Sequence, residues 1–171
     1  YDPKTQVFHE AVRPLRRLIA REHPEIQEWL RLLGGSDAEK LLDWVATAMR
    51  LDRQSSAPYF NGASGVGKSL FAYGLARLWT KGAPAALKNV LSGFNDALVK
   101  CPIVFADEKL PAGRGITAEL RELIGSTTRN LSRKFLPIGD LEGAVRVILA
   151  ANNDRMLEAA GEEYSTDDVK A

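Results

Sequence analysis

The sequence predicts an α/β fold, a parallel sheet flanked by helices and preceded by a helical segment. Apolar residues recur at helical spacing through residues 1–53, which indicates helices before any strand. Two short apolar runs, Pro102 to Ala106 and Val145 to Ala150, have the length and composition of buried parallel strands. Helical patterns lie between the strands, and this alternation favours a parallel sheet that binds its ligand at the carboxyl ends of its strands.

The first 53 residues are predicted to form three helices, with Pro14 starting or kinking the first. Pro24 suits the first position of the second helix, and Gly34-Gly35 would end it. Ser36 and Glu39 have the spacing of a capping box, which predicts that Ser36 caps the third helix. Trp29 and Trp44 are interpreted as core residues rather than as platforms for stacked bases.

A glycine-rich loop follows a short strand predicted at Pro58 to Asn61. It fits the pattern G-x-x-x-x-G-K-[ST] of a phosphate-binding P-loop, and a helical pattern from Leu70 to Trp79 follows it. Its residues are Gly62, Ala63, Ser64, Gly65, Val66, Gly67, Lys68 and Ser69. The pattern predicts a nucleoside triphosphate with Mg²⁺ as ligand: the backbone amides would surround the phosphates, Lys68 would contact the outer ones, and Ser69 would ligate the metal.

Two carboxylates follow the first buried run. Asp107 and Glu108 come directly after Ala106, at the strand end where the P-loop also opens. We expect Asp107 to hold Mg²⁺, directly or through water, and Glu108 to orient and deprotonate the attacking water. Two acids are needed because a carboxylate bound to metal is a poor base.

The second buried run also ends in a polar side chain, Asn152. An amide at that position can hydrogen-bond both a γ-phosphate and the attacking water without adding charge. An asparagine that begins a loop and stabilises its own turn would give the same pattern, and the sequence leaves both interpretations open.

Three further elements are expected in the second half of the chain. Apolar spacing predicts a helix from Leu87 to Leu98 and a shorter one from Ala118 to Ile124, which Gly125 would end. Strand-like pieces between Leu131 and Gly143 predict a hairpin or a long turn.

Composition limits the alternatives. The formal net charge is +1, so any nucleic-acid site has to be local rather than a property of the whole surface. The single cysteine, Cys101, excludes an internal disulfide and is predicted to be a buried, inert thiol. No apolar stretch approaches the roughly 20 residues that cross a bilayer, so no membrane partner is expected.

The order of P-loop, Asp107-Glu108 and Asn152 resembles that of the superfamily three helicases, a branch of the AAA+ ATPases. The similarity is greatest to the helicase domains of primase-helicases of phages and related mobile elements. It extends to the runs Phe94 to Leu98, Val104 to Glu108 and Arg146 to Asn152. It implies a P-loop NTPase sheet of the AAA+ type, with Asn152 as the sensor residue of the third motif. We therefore expect a helical segment at residues 1–53 and an ATPase core at residues 54–171.

The resemblance also implies partners. The family forms a hexameric ring that hydrolyses ATP between subunits and draws single-stranded DNA through its pore. A family hairpin grips the strand, and here it would lie between Leu131 and Ala144, with Arg133 and Lys134 as its basic residues. These two residues would contact phosphates, or else they are ordinary solvated charges.

The end of the sequence carries two further expectations. Arg155 follows Asn152 too closely to be a confident arginine finger, the residue that stabilises transition-state charge from a neighbouring subunit. Ser165 to Asp168 resemble the start of a helix shortly before Ala171. We therefore expect the core to continue beyond Ala171 and to include the finger there.

Two other functions share part of this pattern. An AAA+ module that binds ATP to switch or load an assembly would keep every motif except a DNA-gripping hairpin. A P-loop phosphotransferase would need an acceptor pocket and a basic lid, neither of which the sequence indicates. The expected location is the cytoplasm, that of a bacterial host for a phage protein.

Overall fold

The computed structural model describes residues 21–93, 95–107, 116–132 and 139–152. The helices in these ranges are α1 (Pro24–Gly34), α2 (Ala38–Thr47), α3 (Lys68–Ala76), α4 (Leu87–Leu91) and α5 (Ile116–Gly125). The strands are β1 (Tyr59–Asn61), β2 (Ala85–Ala86), β3 (Ile103–Asp107), β4 (Thr128–Leu131), β5 (Gly139–Glu142) and β6 (Arg146–Ala151).

Four strands form a parallel sheet in the order β1-β6-β3-β2. The last strand in the sequence, β6, therefore lies between β1 and β3, with Phe60 opposite Ala150 and Phe105 opposite Ile148. Because all four strands point the same way, the residues that follow β1, β3 and β6 meet at one edge. The predicted fold class is confirmed.

The two faces of the sheet bury separate apolar clusters, because successive side chains of a strand point to opposite sides. One face, with Phe60, Ile103, Phe105 and Ile148, packs against helices α2 and α3. The other face packs against α4 and α5 and carries Val104, Ala106, Val147 and Leu149. Helices thus cover both faces, as a parallel sheet requires.

The N-terminal helices begin close to where the sequence predicts them, with one correction. Pro24 occupies the first turn of α1, and the helix ends at Gly34, followed by Gly35 with a φ of 54°. The predicted capping box is wrong: residues 35–37 form a 3₁₀ turn, Asp37 is the residue before α2, and no side chain caps that helix. The chain passes from one helix to the next without the extended residue that a Ser36 cap would need.

The helix predicted from Leu87 to Leu98 is also wrong in its length. The chain forms β2, then the five-residue α4, and later a 3₁₀ turn at Asp96–Val99. Gly93 has a φ of 90°, which no right-handed helix can contain. Phe94 lies outside the described residues.

The remaining elements agree with the predictions, with shifted ends. Helix α5 begins two residues before Ala118, and β4 and β5 form an antiparallel hairpin with Thr128 opposite Glu142. The predicted hairpin between Leu131 and Gly143 therefore exists, but its first strand begins at Thr128. In the part of the chain that the structure describes, no helix is long and apolar enough to span a membrane.

Two side chains at the amino end of the central strands are deeply buried. Cys101 precedes β3 with 2% of its surface exposed, and burial raises the pKa of its thiol. Arg146 is the first residue of β6 and is 1% exposed. Its guanidinium donates to the carbonyl oxygens of Ala48 at 3.0 Å, of Arg50, and of Arg53 at 3.0 Å. Arg146 thus fastens the segment that joins α2 to β1.

Candidate active site at the carboxyl edge of the sheet

The P-loop leaves the sheet at Gly62, whose amide donates to the carbonyl of Ala151 at 3.2 Å. This bond continues the pairing of β1 with β6 and fixes the start of the loop against the central strand. Two later residues, Gly65 and Gly67, have φ values of 86° and 101°. That left-handed region favours glycine, so the backbone requires glycine at Gly67 of the motif and at Gly65 within the loop.

Gly67 ends the loop and begins the helix. It is the residue before α3, and its carbonyl accepts the amide of Phe71 at 2.9 Å, the first bond of the helix. The amides of the first turn of α3 therefore face the loop, where a helix N-terminus favours a bound anion. The P-loop lies between a strand end and a helix start, the arrangement that the motif requires.

Lys68 lies inside the loop rather than in solvent. Its side chain is buried, with 6% of the residue exposed, and Nζ donates to the carbonyl oxygens of Gly62 at 2.6 Å and Ala63 at 2.8 Å. Its third bond goes to Oδ1 of Asn152 at 2.9 Å. An ammonium group has three donors, and all three are used.

Asn152 reaches the P-loop because of the strand order. It follows β6, which lies between the P-loop strand and the strand of Asp107. Its position at the end of the central strand thus lies between the strand that leads into the P-loop and the strand of Asp107. The sequence left open whether Asn152 serves its own turn or the site, and the bond to Lys68 shows that its side chain reaches the site.

Ser69 and Asp107 form the second polar contact of the site. The Ser69 hydroxyl lies 3.4 Å from Oδ2 of Asp107, at the exposed end of β3. A hydroxyl and a carboxylate oxygen are ligands that Mg²⁺ accepts, so this donor set fits the predicted metal. No cluster of three or more His, Cys, Asp or Glu side chains occurs among the residues described.

Three predicted site residues have no structural description. Glu108 follows the last described residue of β3, and Arg133 and Lys134 follow Ser132. The predicted base and the predicted DNA contacts therefore remain predictions, as do the roles of the residues that the structure does bring together.

No role is predicted for residues 1–40 from the sequence, and the structure places part of this segment beside the P-loop. A cavity of about 430 Å³ lies between α1, α2, β1 and the P-loop, which is the size of ordinary ligand pockets. Leu33, Asp37, Lys40, Asn61 and Val66 are among its lining residues. No motif could have indicated this, because the cavity exists only once the helices fold back on the strand.

The fold has solved counterparts. Two apo structures of the C-terminal region of NrS-1 match with TM-scores of 0.65 and 0.64, at 22% and 23% identity. Each match covers 84% of this chain, but only 38% and 37% of the NrS-1 chains. JCV helicase matches with a TM-score of 0.49 and 21% identity, over 78% of this chain and 41% of that one. No family model matches the sequence, and no curated protein does.

The two NrS-1 matches establish the fold. The chain has the parallel sheet and flanking helices of a P-loop NTPase, and it shares this fold with the C-terminal region of NrS-1. The chain spans less than two fifths of the NrS-1 region that it matches.

Proposed function

We propose that this chain is the ATP-hydrolysing domain of a DNA helicase that moves along single-stranded DNA during replication of a phage or mobile element. The single observation that carries the proposal is the meeting of Lys68 with Asn152 and of Ser69 with Asp107 at one edge of the sheet. These contacts connect all three motifs at the edge where a parallel sheet binds its ligand. A membrane has no role in the proposal, and the place of action is the cytoplasm, that of the bacterial host for a phage protein.

The nucleotide would lie across the P-loop. Its phosphates would accept hydrogen bonds from the loop amides, and Lys68 would exchange carbonyl partners for the outer phosphates. The nucleoside would extend into the cavity lined by Leu33, Asp37 and Asn61. Ser69 and Asp107 would hold Mg²⁺, which supplies charge neutralisation for the phosphate oxygens.

Hydrolysis would use two further side chains. The carboxylate of Glu108 would take a proton from the attacking water, whose oxygen forms a bond to the γ-phosphorus as the bond to the β–γ bridging oxygen breaks. Asn152 would keep its amide nitrogen for the γ-phosphate while Oδ1 stays on Lys68. Because a diphosphate has no γ-phosphate to accept this hydrogen bond, Asn152 would distinguish a bound triphosphate from a bound diphosphate.

DNA contact and assembly complete the proposal. Arg133 and Lys134 follow the described strand β4 of the hairpin and would contact backbone phosphates, independent of base sequence. A homo-hexamer of the complete protein would bring the hairpins to a common pore. The helical segment at residues 1–53 and the core at residues 54–171 would then belong to one subunit of that ring.

The test is ATP hydrolysis with Mg²⁺, measured with and without a single-stranded oligothymidine. We expect hydrolysis that DNA stimulates and that Glu108→Gln abolishes, while Glu108→Gln still binds ATP. Hydrolysis that DNA does not change would instead favour an assembly switch. Transfer of the phosphate to an acceptor other than water would indicate a phosphotransferase.

The hairpin has its own measurement. Replacing Arg133 and Lys134 together by alanine should weaken DNA binding and reduce the slope of log K against log salt by about one to two. Lys81→Ala with Lys88→Ala, two exposed lysines that are not part of the hairpin, is the matched control. An unchanged slope in the hairpin variant would remove both residues from the DNA site.

A further inference from the structure

Helix α1 contacts the P-loop through one aromatic side chain. A Cβ atom placed on Gly67 would lie 2.9 Å from Nε1 of Trp29 and 3.2 Å from its Cζ2. Real Cβ atoms do not approach other atoms that closely, so the indole occupies the space beside Gly67. This contact joins a helix without any recognised motif to the last glycine of the P-loop.

The position of the contact gives it a consequence. Gly67 directly precedes Lys68, has a φ of 101°, and supplies the carbonyl that begins α3. Its conformation therefore sets the direction of Lys68 and of the first amides of the helix. A displacement of the Gly67 turn by about 1 Å would misplace both, and misplacements of that size cost up to about 100-fold in function.

The indole is well placed to prevent such a displacement. Trp29 packs against the apolar cluster that includes Leu41, Trp44 and Phe71, so it is held by α2 and α3 as well as by its own helix. A tryptophan has only two side-chain torsions, and packing on several sides leaves it little freedom. Trp29 is thus a rigid group between the core and the phosphate loop.

We propose that Trp29 is a positioning residue for nucleotide binding: its indole holds the Gly67 turn in the phosphate-binding conformation, and occupancy of the loop changes the surroundings of the indole. The inference rests on the proposed nucleotide binding. It gives α1 a specific role, which is to set the affinity of the P-loop from outside the motif.

The experiment compares Mg²⁺-ADP binding by calorimetry in wild type and three variants. Trp29→Ala should bind about tenfold more weakly, whereas Trp29→Phe, which keeps a ring against Gly67, should bind within about twofold of wild type. Leu30→Ala is the matched control, because Leu30 is the neighbouring residue of α1 and packs on the same cluster. It should lower the melting temperature while binding within about twofold of wild type.

A spectroscopic readout keeps the test decisive if Trp29→Ala does not fold. Titration with Mg²⁺-ADP should change the tryptophan emission of wild type, and the change should be clearly smaller in Trp29→Phe, where Trp79 and Trp44, which lines the cavity, remain. Equal affinity of Trp29→Ala and wild type, or an emission change of the same size in Trp29→Phe, would overturn the inference. Absence of ADP binding by wild type would overturn the proposed function with it, so the two failures are distinguishable.

Discussion

The two ends of strand β6 place polar side chains in opposite situations. At the amino end Arg146 is buried and donates to backbone carbonyl oxygens of Ala48 and Arg53. At the carboxyl end Asn152 accepts one hydrogen bond from the side chain of Lys68. Both reach from the central strand to a distant part of the chain. They differ in burial and in partner: Arg146 is buried and donates to backbone carbonyl oxygens, whereas Asn152 is exposed and accepts from a side chain.

The comparison indicates a structural role for Arg146. The Asn152–Lys68 pair, in contrast, has a partner that can move when a ligand binds. The carbonyl partners of Arg146 belong to a segment held in place, and burial lowers the pKa of the guanidinium while the charge of Asp52 acts in the opposite direction. Lys68 can leave the carbonyl oxygens of Gly62 and Ala63 by rotating about its own side-chain bonds when a phosphate replaces them. We infer that the same strand provides stability at one end and chemistry at the other.

The largest expected effect comes from Arg146→Met. The substitution leaves buried carbonyl oxygens without a donor and should lower the free energy of unfolding by about 3 to 4 kcal/mol. Arg77→Met is the control, because Arg77 is exposed at the end of α3, and it should change stability by less than about 0.5 kcal/mol. Urea unfolding measures both.

The folded fraction of Arg146→Met, tested at low temperature, should bind Mg²⁺-ADP within about threefold of wild type. A stability loss below about 1 kcal/mol, or a selective loss of nucleotide affinity, would contradict the assignment of this strand end to structure.

Lys68→Ala is expected to have the next largest effect, and this effect is on nucleotide binding rather than on stability. Removal of the ammonium should weaken Mg²⁺-ATP binding by about 100-fold, because the phosphates lose a charged donor in a buried site. Lys88→Ala, an exposed lysine on α4, should bind as wild type does. Calorimetric titration checks both, and an unchanged affinity of Lys68→Ala would refute the P-loop assignment.

Asn152→Ala should have the smallest of the three effects. Lys68 keeps two carbonyl acceptors, so stability should change by less than about 1 kcal/mol. Hydrolysis of ATP should fall by about tenfold, since one amide contact with the γ-phosphate and the water is lost. Unchanged hydrolysis together with a clear loss of stability would make Asn152 a structural residue like Arg146.

The strands and the helix that carry the candidate site are predicted closer to their observed bounds than the surrounding fold, for a physical reason. The P-loop and the two buried runs are local patterns: a glycine that needs positive φ, or a short apolar strand, is specified by its own residues. Strands β1, β3 and β6 and helix α3 were therefore predicted close to their observed bounds. The carboxyl ends of these strands meet at one edge because the strands are parallel neighbours in one sheet.

The elements that were missed depend on distant partners. Ala85 and Ala86 have little strand propensity and become β2 by pairing with Val104 and Phe105. Arg146 is a single charged residue within the second apolar run, and nothing in the sequence shows that carbonyl groups almost a hundred residues earlier accept its hydrogen bonds. The contact of Trp29 with Gly67 is missed for the same reason, since it joins two helices across the P-loop.

The burial of Cys101 has a practical consequence for labelling. It is the only cysteine of the chain, it is 2% exposed, and burial raises the pKa of its thiol, so the folded protein offers little thiolate to a maleimide. A cysteine introduced on the surface, for example by Lys88→Cys, can therefore carry a dye without removal of the native one. The slow reaction rate of Cys101 itself would then measure how often the sheet opens to expose its thiol.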